Sequence, residues 1–487
     1  MMKTDVAVIG GGLLGCFAAR ELMRYDLSAV LVEKSEDVCT GISKANTAIV
    51  YPGYDHKPGT FKQSLTLKAN AGFDALCREL QVPFVRCGSL MLSFGPKADE
   101  VIRKKYENGR SCGVPRLQLL SGSEARALEP CVSENVRSAL WAPSAGTTDP
   151  WQLCYAAFEN ALANGCGYTS NSTLLSVRRE NGGYLLETGG GEIFARAVIN
   201  CAGMNADRVH EMLFAPSVRI VPQGADYLLL ERGSASLGHI IQHESEAGKG
   251  VTAVPTVGGS ILLGPTEREC GPSPSDVSAE GLETIRTLSA QVLPGLNGGN
   301  VIRSFASARP MVCSVAVKNG KIVPDGKNIG SFVIETPEPG YLGFIGIKTP
   351  GLTCAKELGS FAAERAAQHL GAGKRTDFNP ERKAPLRAKD LPFEKRAQLI
   401  AENPEYGEIL CRCEEISEAE VLEAIRRGAV TVDGVKRRCG AMLGVCQGSR
   451  CLLRILELLA RERNVPLESV TMSGGNSFVA EARREES

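Results

Sequence analysis

The spacing Gly10-x-Gly12-x-x-Gly15 constrains this chain more than any other feature. It follows TDVAVI at 4–9, an apolar β-branched run that reads as a buried strand, and it opens a helical stretch over 13–24. The three glycines have separate tasks. The first permits a tight turn, the second lets backbone approach a pyrophosphate, and the third lets the helix pack close to the strand. The N–H groups at the start of the helix then face the phosphates. SAVLVE at 28–33 predicts a second strand, and it ends on Glu33, 18 residues after Gly15, where a carboxylate accepts hydrogen bonds from an adenosine ribose. Strand, glycine turn, helix and strand form a βαβ unit for a dinucleotide. The unit alone does not separate FAD from NAD.

At 487 residues the chain exceeds one ordinary domain, and two or three are expected. Further strands are predicted near 195–201, 226–231 and 341–347, and helices over 151–164 and 351–370. Short alternating strands dominate 83–145 and 213–335, so a sheet domain is expected between pieces of the nucleotide domain at 1–80, 146–212 and 336–370. Charged, Pro-containing sequence from 371 predicts a linker over 371–410, then a compact segment at 411–463 and a tail at 464–487. A formal net charge of zero excludes the basic excess of a nucleic-acid surface. No apolar run reaches 18 residues, so no transmembrane helix is expected. MMKTDVAVIGGGLLG lacks the pattern of a secretory leader, and a cytoplasmic protein is the expectation.

Later segments narrow the cofactor. Thr40-Gly41-Ile42-Ser43-Lys44-Ala45-Asn46 resembles the second phosphate- and flavin-contacting loop of the FAD-dependent D-amino-acid oxidase and glycerol-3-phosphate dehydrogenase superfamily. Asn200-Cys201-Ala202-Gly203 resembles that family's strand-plus-glycine segment near FAD, and the stretch from Gly346 to Thr353 resembles its late glycine turn. GTTDPWQL at 146–153, GVTAVPTVGGSILLGPT at 250–266 and SARP at 307–310 extend the likeness over roughly 4–370. The resemblance implies an α/β fold, a Rossmann-like FAD-binding domain with an inserted mixed-sheet substrate domain. It implies FAD contacts at Gly10, Gly12, Gly15, Glu33, Lys34, Thr40, Ser43, Asn46, Ala202, Gly203, Gly346, Gly351, Leu352 and Thr353. The helix opened by the late turn would stabilise negative charge on reduced flavin.

Seventeen cysteines are many for a reducing compartment, where clustered thiols read as ligands rather than disulfides. Five fall within 411–463: Cys411-Arg412-Cys413 is a C-x-C pair, and Cys446 to Cys451 a C-x4-C pair after 32 intervening residues, with Cys439 between. Two close thiolate pairs suit a [2Fe–2S] centre or zinc. Gly444 and Gly448 let backbone approach the site, and Ser417 with an acidic first turn predicts a capped helix between the pairs. Lys436, Arg437 and Arg438 read either as counter-charge to the centre or as a solvated basic turn. The segment resembles the bacterioferritin-associated ferredoxin-like [2Fe–2S] domain, a small helical C-terminal module. That resemblance implies ligation by Cys411, Cys413, Cys446 and Cys451, with Cys439 a small buried residue. The other cysteines, including Cys16, Cys154 and Cys354, read as core.

The pairing of the two modules resembles the large subunits of anaerobic glycerol-3-phosphate dehydrogenases and their paralogues. It implies an FAD-dependent dehydrogenase of a small anionic alcohol, glycerol 3-phosphate first, with electrons leaving through the [2Fe–2S] centre to a quinone or partner. The implied partners are a second flavoprotein and an iron–sulfur, membrane-anchoring subunit, which would make the chain peripheral at the membrane. Arg309 in SARP matches an arginine that contacts the substrate's anionic group, and Lys348 in the late turn reads as an anion or flavin partner. Tyr51 stands where relatives carry a histidine base, and a phenol of pKa ~10 is a poor base at neutral pH. His56 lies five residues on and reads as surface. Tyr51 and Lys348 keep open a 2-hydroxy acid or an amino acid or secondary amine as substrate, and the missing histidine keeps open a non-catalytic electron-transfer subunit.

Overall fold

The computed structural model describes residues 1–245, 248–270, 275–296, 299–318 and 321–481; residues 482–487 of the expected tail lie outside these. Two compact units divide the chain, one of Met1–Lys34 with Cys39–Glu381, the other of Ser35–Val38 with Arg382 onward.

The first unit begins with β1 (Met2–Ile9), α1 (Leu13–Leu22) and β2 (Ala29–Val32). Val6, Ala7 and Val8 and all of β2 are buried, as continuous apolar runs in a covered parallel sheet must be. Next come α2 (Phe61–Leu80), α3 (Pro150–Ala163), β3 (Gly167–Thr169) and β4 (Gly191–Asn200). After them follow β5 (Val218–Leu230), β6 (Val301–Lys318), β7 (Tyr341–Ile345) and α4 (Gly351–Leu370). Strands β3, β2, β1, β4 and β7 lie side by side in that order, all parallel. The register is level at one edge: Ile9 pairs with both Val32 and Asn200, and Asn200 with Gly343. A hairpin of Leu174–Glu180 and Gly183–Thr188 flanks the first half of β4.

Between these parts lies a ten-stranded mixed sheet. It draws Ser89–Ser93, Gln118–Ser121 and Ser138–Ala142 from the earlier piece and β5, β6 and their neighbours from the later one. The paired strands β5 and β6 run antiparallel from Val218–Ser314 to Leu230–Val301 and carry Gln223 opposite Arg309. This is the α/β fold with an inserted mixed sheet expected from sequence.

Residues 371–410, expected as a linker, are built into the units. Asn160 Nδ2 donates to the carbonyls of Asn379 at 3.1 Å and Glu381 at 3.0 Å, and the Arg24 guanidinium lies 4.3 Å from the centre of the Phe378 ring. Beyond the break, Phe393–Glu402 is helical, and Lys389 Nζ donates to the Glu414 carbonyl at 2.9 Å. The polar composition suggested a solvated arm, but its partners lie far away in sequence.

The second unit contains β8 (Ile409–Cys411), β9 (Ile416–Ser417), α5 (Glu418–Arg426), α6 (Val432–Cys439) and α7 (Leu452–Arg463). A capping box starts α5: Ser417 Oγ accepts the Glu420 N–H, and the Glu420 carboxylate accepts the Ser417 N–H at 3.0 Å. Val421, Leu422, Val432, Val435, Ile455 and Leu459 are buried in one core with Cys411 and Cys451. Among the described residues no helix is long and apolar enough to cross a membrane.

Candidate functional site

The level ends of β1, β2, β4 and β7 bring four sequence-separated loops to one edge of the parallel sheet, where open α/β sheets bind ligands. At the first loop a Cβ on Gly15 would sit 1.8 Å from the Gly10 carbonyl oxygen, and Gly10 has φ +104° with its own Cβ position 2.6 Å from the Cys201 oxygen. Only glycine permits both the turn and the close helix–strand contact. Gly12 caps α1 without a side chain, and Ser43 Oγ accepts the Leu13 N–H at 2.9 Å. Ser43 thus brings the 40–46 loop onto the helix start. Asn46 holds that loop closed, donating to the Ser43 carbonyl at 2.9 Å and accepting the Ala48 N–H at 2.8 Å. Thr40 is half-buried in the same loop.

Glu33 is buried at the end of β2, and its carboxylate accepts the Gly11 N–H at 2.6 Å. Lys34 is exposed beside it. After β4, Asn200 Oδ1 accepts the Ala202 N–H at 3.1 Å, and Gly203 turns the chain with φ +58°. After β7, Gly346 has φ +69°, and a Cβ there would lie 1.7 Å from Val312 Cγ2. Gly351, Leu352 and Thr353 form the first turn of α4, and Thr353 Oγ1 accepts the Tyr51 N–H at 3.0 Å. The glycine cradle and the carboxylate at the end of β2 fit a dinucleotide such as FAD.

Beside the late turn, side chains from four segments converge. Arg309 Nη1 donates to Glu267 at 2.6 Å and to Gln223 at 3.3 Å. Lys348 Nζ lies 3.3 Å from Met311 Sδ. Burial lowers the Lys348 pKa, and the Arg309 charge lowers it further. Lys62, in the first turn of α2, stands 4.7 Å from the Phe332 ring centre; burial and the Lys348 charge lower its pKa. Sequence reasoning missed Lys62, which looks like an ordinary surface lysine near a helix start. Burial pushes the Tyr51 phenol above its usual range, with Thr47 and Arg309 opposing, so Tyr51 is a proton donor at neutral pH rather than a base. His56 is half-buried rather than plain surface. Burial and the Lys62 charge take its pKa down to about 4, and its Nε2 is buried without a hydrogen-bond partner.

In the second unit the four cysteines of the two sequence pairs meet. Cys411 and Cys451 influence each other's protonation, as do Cys413 and Cys446, and the Cys411 charge raises the Cys413 pKa. Cys411 and Cys451 are each 1% exposed; Cys413 and Cys446 are half-buried. Among the described residues no three His, Cys, Asp or Glu side chains close around one point tightly enough for a single ion. A Cβ on Gly444 would sit 2.4 Å from Cys413 Cβ, so this glycine leaves room for the thiol loop. Soft thiolates in this number fit an iron–sulfur centre. Cys439 stands apart: its Sγ donates to the Val435 carbonyl at 3.3 Å, and burial pushes its pKa up to about 12. Lys436, Arg437 and Arg438 are buried rather than solvated. Arg438 holds Asp37 through both guanidinium nitrogens, at 2.6 and 2.8 Å, and Arg437 lies 3.6 Å from the same carboxylate.

A family model described as FAD dependent oxidoreductase matches residues 5–365. The chain belongs to this family. A second, described as BFD-like [2Fe-2S] binding domain, matches residues 409–461. This FAD-dependent oxidoreductase therefore carries two redox cofactors, FAD and a [2Fe–2S] cluster, which sets the zinc reading aside. It is 35% identical over 485 residues to a glycerol 3-phosphate dehydrogenase of Caloramator mitchellensis, covering 98% of each chain. It is 26% identical to the anaerobic glycerol-3-phosphate dehydrogenase subunit A1 of Haloferax volcanii, over 94% of this chain and 83% of that one. Among solved structures it is similar to L-alpha-glycerophosphate oxidase from Mycoplasma pneumoniae with FAD bound, with TM-score 0.71 and 22% identity over 80% of this chain and 100% of the other. At that identity the likeness shows the fold of the oxidoreductase unit. Cys16, Cys154 and Cys354 are buried, as expected of core residues.

Proposed function

We propose that this oxidoreductase oxidises glycerol 3-phosphate to dihydroxyacetone phosphate and passes the electrons through its [2Fe–2S] centre to a partner or quinone. The observation that carries the reading is the convergence of Arg309, Lys348 and Lys62, with Glu267 the acid paired to Arg309. Two half-buried ammonium groups with lowered pKa values suit a ligand that brings negative charge, and a phosphate dianion brings more than a carboxylate. The name of the 35% identical relative supports the same substrate. FAD, when bound at the glycine cradle, would take two electrons as hydride from the carbinol carbon, and the cluster would forward them singly. Arg309, Lys348 and Lys62 would hold the phosphate. Tyr51 would donate a hydrogen bond. The hydroxyl proton would go to His56 Nε2, which is neutral at physiological pH and whose basicity rises once a dianion offsets Lys62.

The test is anaerobic titration of the oxidised protein with glycerol 3-phosphate. Loss of the flavin absorbance is expected; no bleaching would overturn the reading. A 2-hydroxy acid, an amino acid and a secondary amine in the same assay test the other substrate classes that Tyr51 leaves open. We further propose that the chain works on the cytoplasmic side, peripheral to the membrane, with flavoprotein and iron–sulfur anchoring subunits. That the Haloferax relative is a subunit supports partners of some kind.

A further inference from the structure

The segment from Glu33 to Cys39 runs through both units of the chain. Glu33, Lys34 and Cys39 fall in the oxidoreductase unit, whereas Ser35, Glu36, Asp37 and Val38 fall in the unit that carries the cluster cysteines. Both ends of the segment are tied to one residue of the glycine cradle. The Glu33 carboxylate accepts the Gly11 N–H at 2.6 Å, and the Gly11 carbonyl accepts the Cys39 N–H at 2.9 Å. Cys39 is buried with φ +61°, a conformation that a non-glycine residue keeps only where its surroundings enforce it. The middle of the segment is held by the second unit. Asp37 is 2% exposed, and Arg438 donates to its two carboxylate oxygens at 2.6 and 2.8 Å, with Arg437 at 3.6 Å. Two glycines of that unit leave room for the segment. A Cβ on Gly434 would lie 3.2 Å from Asp37 Oδ2, and one on Gly474 would lie 1.9 Å from the Glu36 carboxylate.

We propose that Asp37 is a positioning residue for FAD, and that the Arg438 grip on it makes the fold of the second unit, rather than its cluster, part of what holds FAD in the first. The gripped residues lie between two stretches of the cradle, Glu33 on one side and the 40–46 loop on the other. A segment that is already held costs no further ordering when a dinucleotide binds, whereas a loose one must be ordered at the expense of affinity. A two-nitrogen arginine–carboxylate pair fixes geometry as well as charge, so it holds the segment in one place. None of the groups in the grip is a cysteine. Arg437 and Arg438 are carried on α6, which packs through Val432 and Val435 into the unit's own core, so loss of the cluster alone leaves the grip standing.

The experiment uses the full chain with both cofactors bound and needs no substrate. FAD affinity is read from the fluorescence of flavin released on dilution. Hydrogen exchange of the peptide spanning 34–46, before and after FAD is removed, reads the segment itself. Asp37→Asn is expected to raise the FAD dissociation constant about tenfold and to speed exchange of the Cys39 amide in the FAD-free protein as well. Arg438→Lys keeps the buried charges balanced and gives up only the two-nitrogen hold, so a rise of about threefold is expected, with iron and acid-labile sulfide unchanged. If Asp37→Asn loses iron, Arg438→Lys decides. Cys439→Ala, on the same helix, weakens the packing of the second unit without touching Asp37 and should leave FAD affinity as it was. FAD affinity or exchange that stays at the unmodified level in Arg438→Lys would overturn the proposal. So would loss of iron in that variant, which would make the pair a support of the second unit alone, or an equal loss of FAD in Cys439→Ala.

Discussion

The two cofactor sites are built from different materials. The flavin cradle is made mostly of absences: Gly10, Gly15 and Gly346 stand where a Cβ would strike a carbonyl or a neighbouring side chain. The cluster site is made of presences, four thiols brought together from two short segments. A backbone cradle is inseparable from the fold around it, because the same glycines let α1 and β1 pack. A thiol site can lose its ligands while the core beneath it stands. The difference teaches where each site is fragile, and it can be tested at both ends.

The largest effect is expected from Cys446→Ser. Iron and acid-labile sulfide should fall to background, while FAD content and bleaching by substrate stay unchanged. Parallel loss of FAD would break the comparison. Gly15→Ala is the matching test of the cradle. With the Gly10 oxygen 1.8 Å from the new Cβ, α1 must move, at a cost of about 1–3 kcal/mol for overpacking. The expected protein has lost FAD, melts earlier by calorimetry and still holds its iron and sulfide.

A smaller effect should follow at the substrate side, where the flavin unit does use side chains. Lys62→Met removes one charge-assisted contact worth about 1.5–3 kcal/mol, so KM for glycerol 3-phosphate should rise roughly ten- to hundredfold with FAD and iron contents unchanged. The pH dependence has a definite sign. The pKa values of Lys62 and Lys348 are lowered, so their charge is lost at lower pH than that of a free lysine near ~10.4. KM should therefore rise with pH ahead of that value, and substrate binding should take up protons in the same window. Stability without substrate runs the other way. The unfolded chain holds those protons more tightly, so stability rises with pH across the window. A pH-independent KM in the wild-type protein would remove Lys62 and Lys348 from the site.

The sequence showed what is local and missed what is long-range. The glycine spacing, Glu33 and the Ser417 cap each depend on neighbours within a few turns of chain. The cysteine spacing is legible because a ligand pair is itself a short motif. Lys62 and Lys348 are far apart in the chain, and nothing in either segment announces the other. The basic run at Lys436 to Arg438 looked solvated because charged residues normally are, yet it is buried around Asp37, a partner nearly the whole chain away. The stretch 371–410 looked like a linker for the same reason. Its Arg387 and Lys389 donate to the carbonyls of Cys439 and Glu414, and its Asn379 carbonyl accepts from Asn160, partners that only the fold brings near.

Cys439 gives the finest test of the contrast, because it asks whether every thiol in the second unit belongs to the site. Its Sγ–H is spent on the Val435 carbonyl of its own helix, and burial pushes its pKa up to about 12. A ligand must be a thiolate, and this thiol keeps its proton at any pH the protein meets. Cys439→Ala removes one buried sulfur and a weak hydrogen bond without leaving a charge unpaired. The expected cost is about 1 kcal/mol, at the low end for deleting buried atoms from a core. Iron and sulfide per chain and the spectrum of the reduced centre should match those of the unmodified protein, with the loss visible only in denaturant unfolding. A changed resonance spectrum would place Cys439 against the cluster, and the division between ligand thiols and packing thiols would have to be redrawn.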